Sequence, residues 1–234
     1  MTGARETDAV AERYGRRAST DRYSFMRPDV WQGVQERQRA MLGLFWRHRV
    51  LDLAALRCAE VGCGSGSNLL ELLRLGFLPE HLIGVELLAD RFERARHVLP
   101  PSLELHLGDA AALDLGAATQ DIVLVSTVFS SLLDDGFEDR LAAAMWRWVK
   151  PGGCVLWYDF TVNNPRNRDV RGVPLRRIKA LFPEATVDAR RVTLAPPIAR
   201  TVSRLNPWLY TFFNILPLLR THLLAWIGKA NAAQ

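Results

Sequence analysis

Cysteine is scarce in this 234-residue chain. Cys58, Cys63 and Cys154 are an odd set without C-x-x-C spacing or a neighbouring histidine cluster. That argues against a disulfide framework and against zinc, and it points to a reducing cytoplasm. A long apolar run is missing too. The uncharged stretch from Leu205 to Leu219 falls short of the roughly 20 residues a spanning helix needs. It is broken by Pro207 and Pro217, and Arg220 and His222 follow at once. A buried cap or a helix lying on a surface fits it better than a membrane span. The polar, charged segment Met1 to Arg17 has no secretory h-region. Internal repeats, low-complexity tracts and linker-like stretches are also lacking.

What is present is apolar and regular. Hydrophobic residues make up 49% of the chain, ample for a core, and the net charge of +5 permits anionic partners without demonstrating one. Residues 8–50 read as helical, with Val30, Trp31, Val34, Met41, Leu42, Leu44 and Phe45 at helical spacing. Arg27-Pro28-Asp29 breaks this region, with Asp29 expected as an N-cap. Beyond it, strands are expected at 57–61, 82–86, 103–107, 121–127 and 153–160. Helices are expected between them at 68–75, 89–98 and 137–149. Short, nearly all-apolar strands alternating with helices predict a parallel sheet covered on both faces. Ligands of such sheets bind outside the carboxyl ends of the strands. A helix near 174–181 and a strand near 185–194 follow. An irregular helical insertion at 198–219 then precedes a last strand near 221–227.

One motif stands out. Glu60-Val61-Gly62-Cys63-Gly64-Ser65-Gly66 reads as a strand ending in a tight turn that opens into a helix. Alternate glycines supply unusual φ values and let a ligand approach the backbone, and the helix amino end offers free N–H groups. Glu60 is costly to bury without a cationic or hydrogen-bonding partner, so a ligand carrying both an ammonium and a carboxylate suits the turn. A dinucleotide fingerprint counted from Gly62 needs glycine at 67, where Ser67 stands, so NAD and FAD are disfavoured. Glu86 ends the second strand, where a carboxylate can accept from both hydroxyls of a ribose. Gly108-Asp109-Ala110 follows the third strand. Asp109 there can accept from an adenine amino group beside the Ala110 N–H, or serve as a helix cap or Asx turn.

Glu60-x-Gly62-x-Gly64-x-Gly66, Glu86, Gly108-Asp109-Ala110, Asp121-Ile122-Val123 and Val149-Lys150-Pro151-Gly152-Gly153 together resemble a class I, Rossmann-like S-adenosylmethionine-dependent methyltransferase. The resemblance spans about residues 55–160 in order and spacing. It implies a three-layer αβα fold with a seven-stranded, mostly parallel sheet whose last strand is antiparallel. A helical cap would occupy 1–50 and the cofactor-binding domain 51–234, with 198–219 as a helical lid. The implied cofactor is S-adenosyl-L-methionine and the product S-adenosyl-L-homocysteine. Glu60, Gly62, Gly64 and Gly66 would hold the methionine end, Glu86 the ribose and Asp109 with Ala110 the adenine, with Ser126 beside them.

Residues 158–172 and the ending Leu219-Arg220-Thr221-His222 are similar to bacterial small-molecule methyltransferases of the methyltransferase-11 type, some encoded with glycosyltransferases. Arg22-Tyr23-Ser24-Phe25 and Gln35-Glu36-Arg37 resemble their capping helix. Tyr14 and Tyr23 are candidates to close over the cofactor or to pack in the core.

Methyl transfer rewards near-attack positioning, and a general base matters mainly for hydroxyl or protonated amine acceptors. Asp159 is the first candidate for base or orienting group, because its apolar run would raise its pKa. It competes with a strand-end hydrogen-bonding role. Tyr158 and His222 are further catalytic candidates. A basic cluster from Arg166 to Arg191, with Trp208, Tyr210, Phe212 and Phe213 as a greasy lid, suggests an anionic or lipid-pyrophosphate-linked acceptor, or else is a solvated arginine-rich surface. The acceptor class expected is a small molecule, glycan or glycolipid. The setting expected is the cytoplasm, with a peripheral contact at the inner face of the membrane. RNA methylation and a non-catalytic binding role are the alternatives. Ser126-Thr127-Val128-Phe129 lacks the Asn/Asp-Pro-Pro-aromatic grip for a flipped base, and no nucleic-acid module is recognisable.

Overall fold

The computed structural model describes residues 3–16, 24–163 and 167–231. Two helices, α1 (Gly3–Gly15) and α2 (Pro28–Arg47), precede a sheet of seven strands. The strands are β1 (Cys58–Val61), β2 (Leu82–Glu86), β3 (Glu104–Leu107), β4 (Gln120–Ser126), β5 (Val149–Phe160), β6 (Thr186–Leu194) and β7 (Arg220–Gly228). Helices α3 (Ser67–Leu75), α4 (Ala89–Val98), α5 (Asp135–Trp148) and α6 (Leu175–Leu181) connect them. Helices α7 (Pro196–Leu205) and α8 (Pro207–Asn214) fill the interval between β6 and β7.

The strand order is β3-β2-β1-β4-β5-β7-β6, and β7 runs antiparallel to both neighbours. The order reverses between β1 and β4, which creates the crevice where ligands of open α/β sheets bind. Because β7 alone is reversed, the β6–β7 connection emerges at the same edge as the carboxyl ends of β1, β4 and β5.

Alternation of side chains along the strands divides the core in two. Ala59, Val61, Val123, Val125, Val155 and Trp157 pack with α5 and α6 on one face. Cys58, Ile122, Leu124, Leu156 and Tyr158 pack with α2 and α3 on the other. The three cysteines are buried and free. The edge strand β6 carries Asp188, Arg190 and Arg191, charges that discourage edge-to-edge pairing.

Several boundaries differ from the sequence reading, β5 beginning at Val149 and not at 153, and two of the differences have a clear cause. Asp29 is not the N-cap of α2. Pro28 takes the first helical position after Arg27, where its missing N–H costs nothing, and Asp29 pairs with Arg27 at 3.4 Å. Helix α5 begins two residues early because the Asp134 carboxylate accepts the Phe137 N–H at 2.6 Å.

Buried Glu138 on α5 holds the segment after β5 in place. Its carboxylate accepts from Arg171 Nη2 at 2.8 Å and from Arg177 Nε at 2.9 Å. The Arg171 N–H in turn reaches the Ser130 carbonyl at 2.8 Å, bracing the one-turn helix Phe129–Ser131 after β4. Glu138→Ala is expected to cost about 2 kcal/mol in chemical denaturation, since it removes the buried anion both guanidiniums share and leaves them only the exposed Asp135 and Asp139. Limited proteolysis should then cut first within residues 167–177.

Candidate cofactor and acceptor site

The glycine turn lies in the crevice between β1 and β4. Gly62, Gly64 and Gly66 all adopt positive φ, at 68°, 60° and 86°. A Cβ at Gly62 would fall 2.5 Å from Val128 Cγ2, so this position admits no side chain. At Gly64 nothing stands within 4 Å of such a Cβ, and the turn there faces open space.

Glu60 is fully buried under this turn. Its Oε1 accepts from Asn68 Nδ2 at 2.6 Å, and Oε2 has no hydrogen-bond partner. Burial pushes its pKa up to about 8, against the Asn68 hydrogen bond and the positive charge of Arg37. An orphaned buried carboxylate oxygen is the vacancy a cationic ammonium fills.

Asn68 is a site neighbour the sequence does not mark, and Arg37 is marked there only as part of the segment that resembles a capping helix. Asn68 Oδ1 accepts from Arg37 Nη2 at 2.7 Å, and the same guanidinium reaches Glu71 Oε2 at 3.2 Å. Arg37 comes from α2, 31 residues away in sequence, and no local pattern marks that pairing. Its guanidinium lies 3.5 Å from the Ser126 hydroxyl and 5.2 Å from the centre of the Tyr158 ring.

Two cavities open on either side of β4. The larger encloses about 740 Å³, continuous with solvent, and is lined by Gly62, Glu86, Asp109, Ala110 and residues of α1 and α5. Tyr14 lines it as well, and its hydroxyl lies 3.1 Å from Ser131 Oγ. The smaller, about 320 Å³, is lined by Arg37, Asn68, Glu71 and Tyr158. Ser126 lines both.

Glu86 is buried at the end of β2, and its two oxygens accept the Gly64 and Leu88 N–H groups at 2.7 and 2.8 Å. An ionised carboxylate has about four acceptor sites, so two remain for hydroxyls. Asp109 Oδ1 accepts the Ala111 N–H at 2.8 Å, the Asx turn that was one of its two readings. Its other oxygen makes no bond within that turn. Tyr23 lies outside the described residues.

The catalytic candidates separate across the sheet. Tyr158 faces α2 and shares a hydrogen bond of 2.9 Å with Thr193 Oγ1. Burial pushes its pKa up to about 12. Asp159 faces the opposite layer, where its carboxylate accepts the Ser130 and Phe160 N–H groups at 2.9 and 2.8 Å. Desolvation raises its pKa to about 6 despite those bonds. His222 stacks on Tyr158 at 4.9 Å, and burial lowers its pKa to about 3, so it is neutral at pH 7. Thr127, which lines the larger cavity, sits at φ 56°. That strained backbone for a β-branched residue is held by its N–H to the Tyr158 carbonyl at 2.8 Å.

Glu60 makes the ligand-free protein sensitive to pH. The folded form keeps its proton up to about 8, whereas the unfolded carboxyl ionises in the ordinary range. Stability from this group is therefore full in acid and lost as pH rises toward about 8. Glu60→Gln is expected to flatten that fall, as read by thermal melts of the two proteins across the same buffers.

Residues 59–153 match a family described as a methyltransferase domain. No curated protein sequence matches the chain. Among solved structures, an S-adenosylmethionine-dependent methyltransferase from Archaeoglobus fulgidus is 14% identical with a TM-score of 0.59. The match covers 83% of this chain and 96% of that one. A second, from Mesorhizobium loti, is 15% identical at TM-score 0.58, covering 78% and 95%. Phosphoethanolamine N-methyltransferase 2 of Haemonchus contortus, solved with S-adenosyl-L-methionine, is 15% identical at TM-score 0.55. That match covers 75% of this chain and 49% of that protein. Residues 59–153 thus match a methyltransferase domain, and the chain shares the fold of S-adenosylmethionine-dependent methyltransferases.

Proposed function

We propose that the chain methylates an oxygen or nitrogen of a small-molecule, glycan or glycolipid acceptor, in the cytoplasm with a peripheral contact to the inner face of the membrane. The observation that carries the reading is the pair of cavities sharing Ser126 as a wall. One cavity holds the ribose- and adenine-binding candidates Glu86, Asp109 and Ala110. The other, under α2, is small, with Arg37, Asn68, Glu71 and Tyr158 among largely apolar walls, a size suited to one functional group and not to a folded macromolecule.

When bound, the cofactor would supply a methyl group on a cationic sulfonium for in-line displacement by the acceptor's lone pair, its thioether leaving neutral and any acceptor proton passing to water. The chain's residues position and desolvate. Glu60 Oε2 meets the ammonium, and Arg37 neutralises carboxylate charge beside Ser126. The N–H groups of Gly62, Cys63, Gly64 and Gly66 are spent inside the protein, on the Val85 carbonyl, Glu86 and the Cys63 carbonyl, so the glycines contribute close backbone approach. Helix α2 roofs the acceptor cavity and excludes water.

Tyr158 is the candidate that faces this cavity, and it orients the acceptor through its hydroxyl. Asp159 is a positioning residue in this reading, because Oδ2 holds Ser130 in the segment that follows β4 and Oδ1 is spent on its own neighbour Phe160. His222 is a neutral stacking surface for Tyr158. A general base is not required where the acceptor nucleophile is already unprotonated.

The direct test supplies methyl-labelled cofactor and the protein to a cell extract separated into nucleic acid, lipid and small-metabolite fractions. Label is expected in the small-metabolite or lipid fraction. Label confined to RNA overturns the acceptor class, and binding without transfer overturns the catalytic reading. With an acceptor in hand, Tyr158→Phe should lower kcat/KM about tenfold, the loss of one orienting hydrogen bond, with cofactor affinity unchanged. Equal losses in cofactor affinity and kcat/KM would remove Tyr158 from the acceptor side.

A further inference from the structure

Helices α7 and α8 leave an apolar surface uncovered. α7 buries Ala199, Val202 and Ser203, and α8 buries Tyr210 and Asn214. Ile198, Leu209 and Phe213 pack against these, and a second set of large side chains in this segment points outward. Leu205, Trp208, Phe212, Ile215, Leu216 and Leu218 are between 51% and 90% exposed, all within one short stretch of chain. Single exposed apolar residues need no explanation, but a contiguous group of this kind marks an interaction site.

Charge identifies the partner. The last acidic residue of the sequence is Asp188, and from residue 189 to the end the chain has six cations and no Asp or Glu. Arg200 and Arg204 on α7 are exposed and form no ion pair among the described residues. Arg204 directly precedes Leu205, so a bare cationic turn borders the apolar tip. A protein partner would be expected to be read by mixed charge. An aromatic and aliphatic tip with unopposed arginines fits an anionic headgroup layer, with Trp208 at interfacial depth. No described helix is long and apolar enough to cross a membrane, which leaves lying on the surface.

The location gives the surface a purpose. The β6–β7 connection leaves the sheet at the carboxyl-end edge, above the acceptor cavity. Tyr210 points inward from the same helix, and its hydroxyl donates to Glu36 Oε2 at 3.3 Å. Glu36 accepts the Thr193 N–H at 2.7 Å and precedes Arg37 on α2. One helix thus joins the apolar tip to the roof of the acceptor cavity.

We infer that the α7–α8 insertion docks the protein on an anionic lipid bilayer and presents the acceptor cavity to that surface. This rests on the proposed acceptor reading for the purpose of docking, though not for the docking itself.

Vesicle co-sedimentation tests it with the full chain, comparing phosphatidylcholine vesicles with phosphatidylcholine vesicles containing phosphatidylglycerol. The protein is expected to partition onto the anionic vesicles and only weakly onto the neutral ones. R200E/R204E should reduce that partitioning about thirtyfold, following the usual gain per arginine near an anionic surface. W208S/F212S/L218S should abolish it, while cofactor affinity by calorimetry and the thermal midpoint stay near wild type. Binding that is indifferent to anionic lipid, or absent, overturns the inference. So does a dimer in solution that the W208S/F212S/L218S variant dissociates while vesicles bind neither protein. Vesicle binding with label found only in RNA sinks the acceptor reading and leaves docking standing. Transfer to a soluble metabolite without vesicle binding does the reverse.

Discussion

The site depends on one buried carboxylate. Glu60 lies in the middle of the sheet with one oxygen tied to Asn68 and the other without a partner. Asn68 passes the connection to Arg37, and Arg37 ends it on Glu71. This chain of four polar side chains joins β1, α3 and α2, elements otherwise held together by apolar packing. Removing charge from water is costly unless every lone pair is satisfied. The network is therefore incomplete by itself, with Glu60 Oε2 left unsatisfied beneath the glycine turn.

The same arrangement explains why the cap helix matters. α2 packs its apolar face on the core through Met41, Leu44 and Phe45. Its polar face supplies Glu36 and Arg37 to opposite tasks. Arg37 turns toward the glycine loop, while Glu36 gathers Thr193 and Tyr210 from β6 and α8. Thr193 sits at φ 64°, a backbone conformation that its bond to Glu36 secures. One turn of helix couples the cofactor side to the β6–β7 insertion.

Much of this was legible in the sequence, for identifiable reasons. The strands announced themselves because a parallel sheet buries both faces and so reads as short apolar runs. β2 and α4 fall where the pattern puts them. The glycine turn was legible because backbone geometry leaves few alternatives, and the positive φ angles of all three glycines follow that expectation. Asp29 and the start of α5 were misplaced, since capping depends on which nearby polar group wins the first N–H. The meeting of Arg37 with Asn68 was not foreseen, because it is tertiary. Asp159 carried an apolar context that spoke for a raised pKa, and that holds. Its direction across the sheet, which separates it from Tyr158, follows only from strand parity once the register is known.

The reversal of β7 has a consequence for how such a domain diversifies. A parallel last strand would need its connection to return to the far edge of the sheet, and that length would be fixed by the crossing. An antiparallel one leaves a hairpin whose two ends are already adjacent at Leu194 and Arg220. The entropic cost of lengthening a closed loop grows only with the logarithm of its length. The segment between those residues can thus be exchanged, shortened or extended with little effect on the sheet or the glycine turn. Whatever that insertion contributes can change while the sheet and the glycine turn stay fixed beneath it.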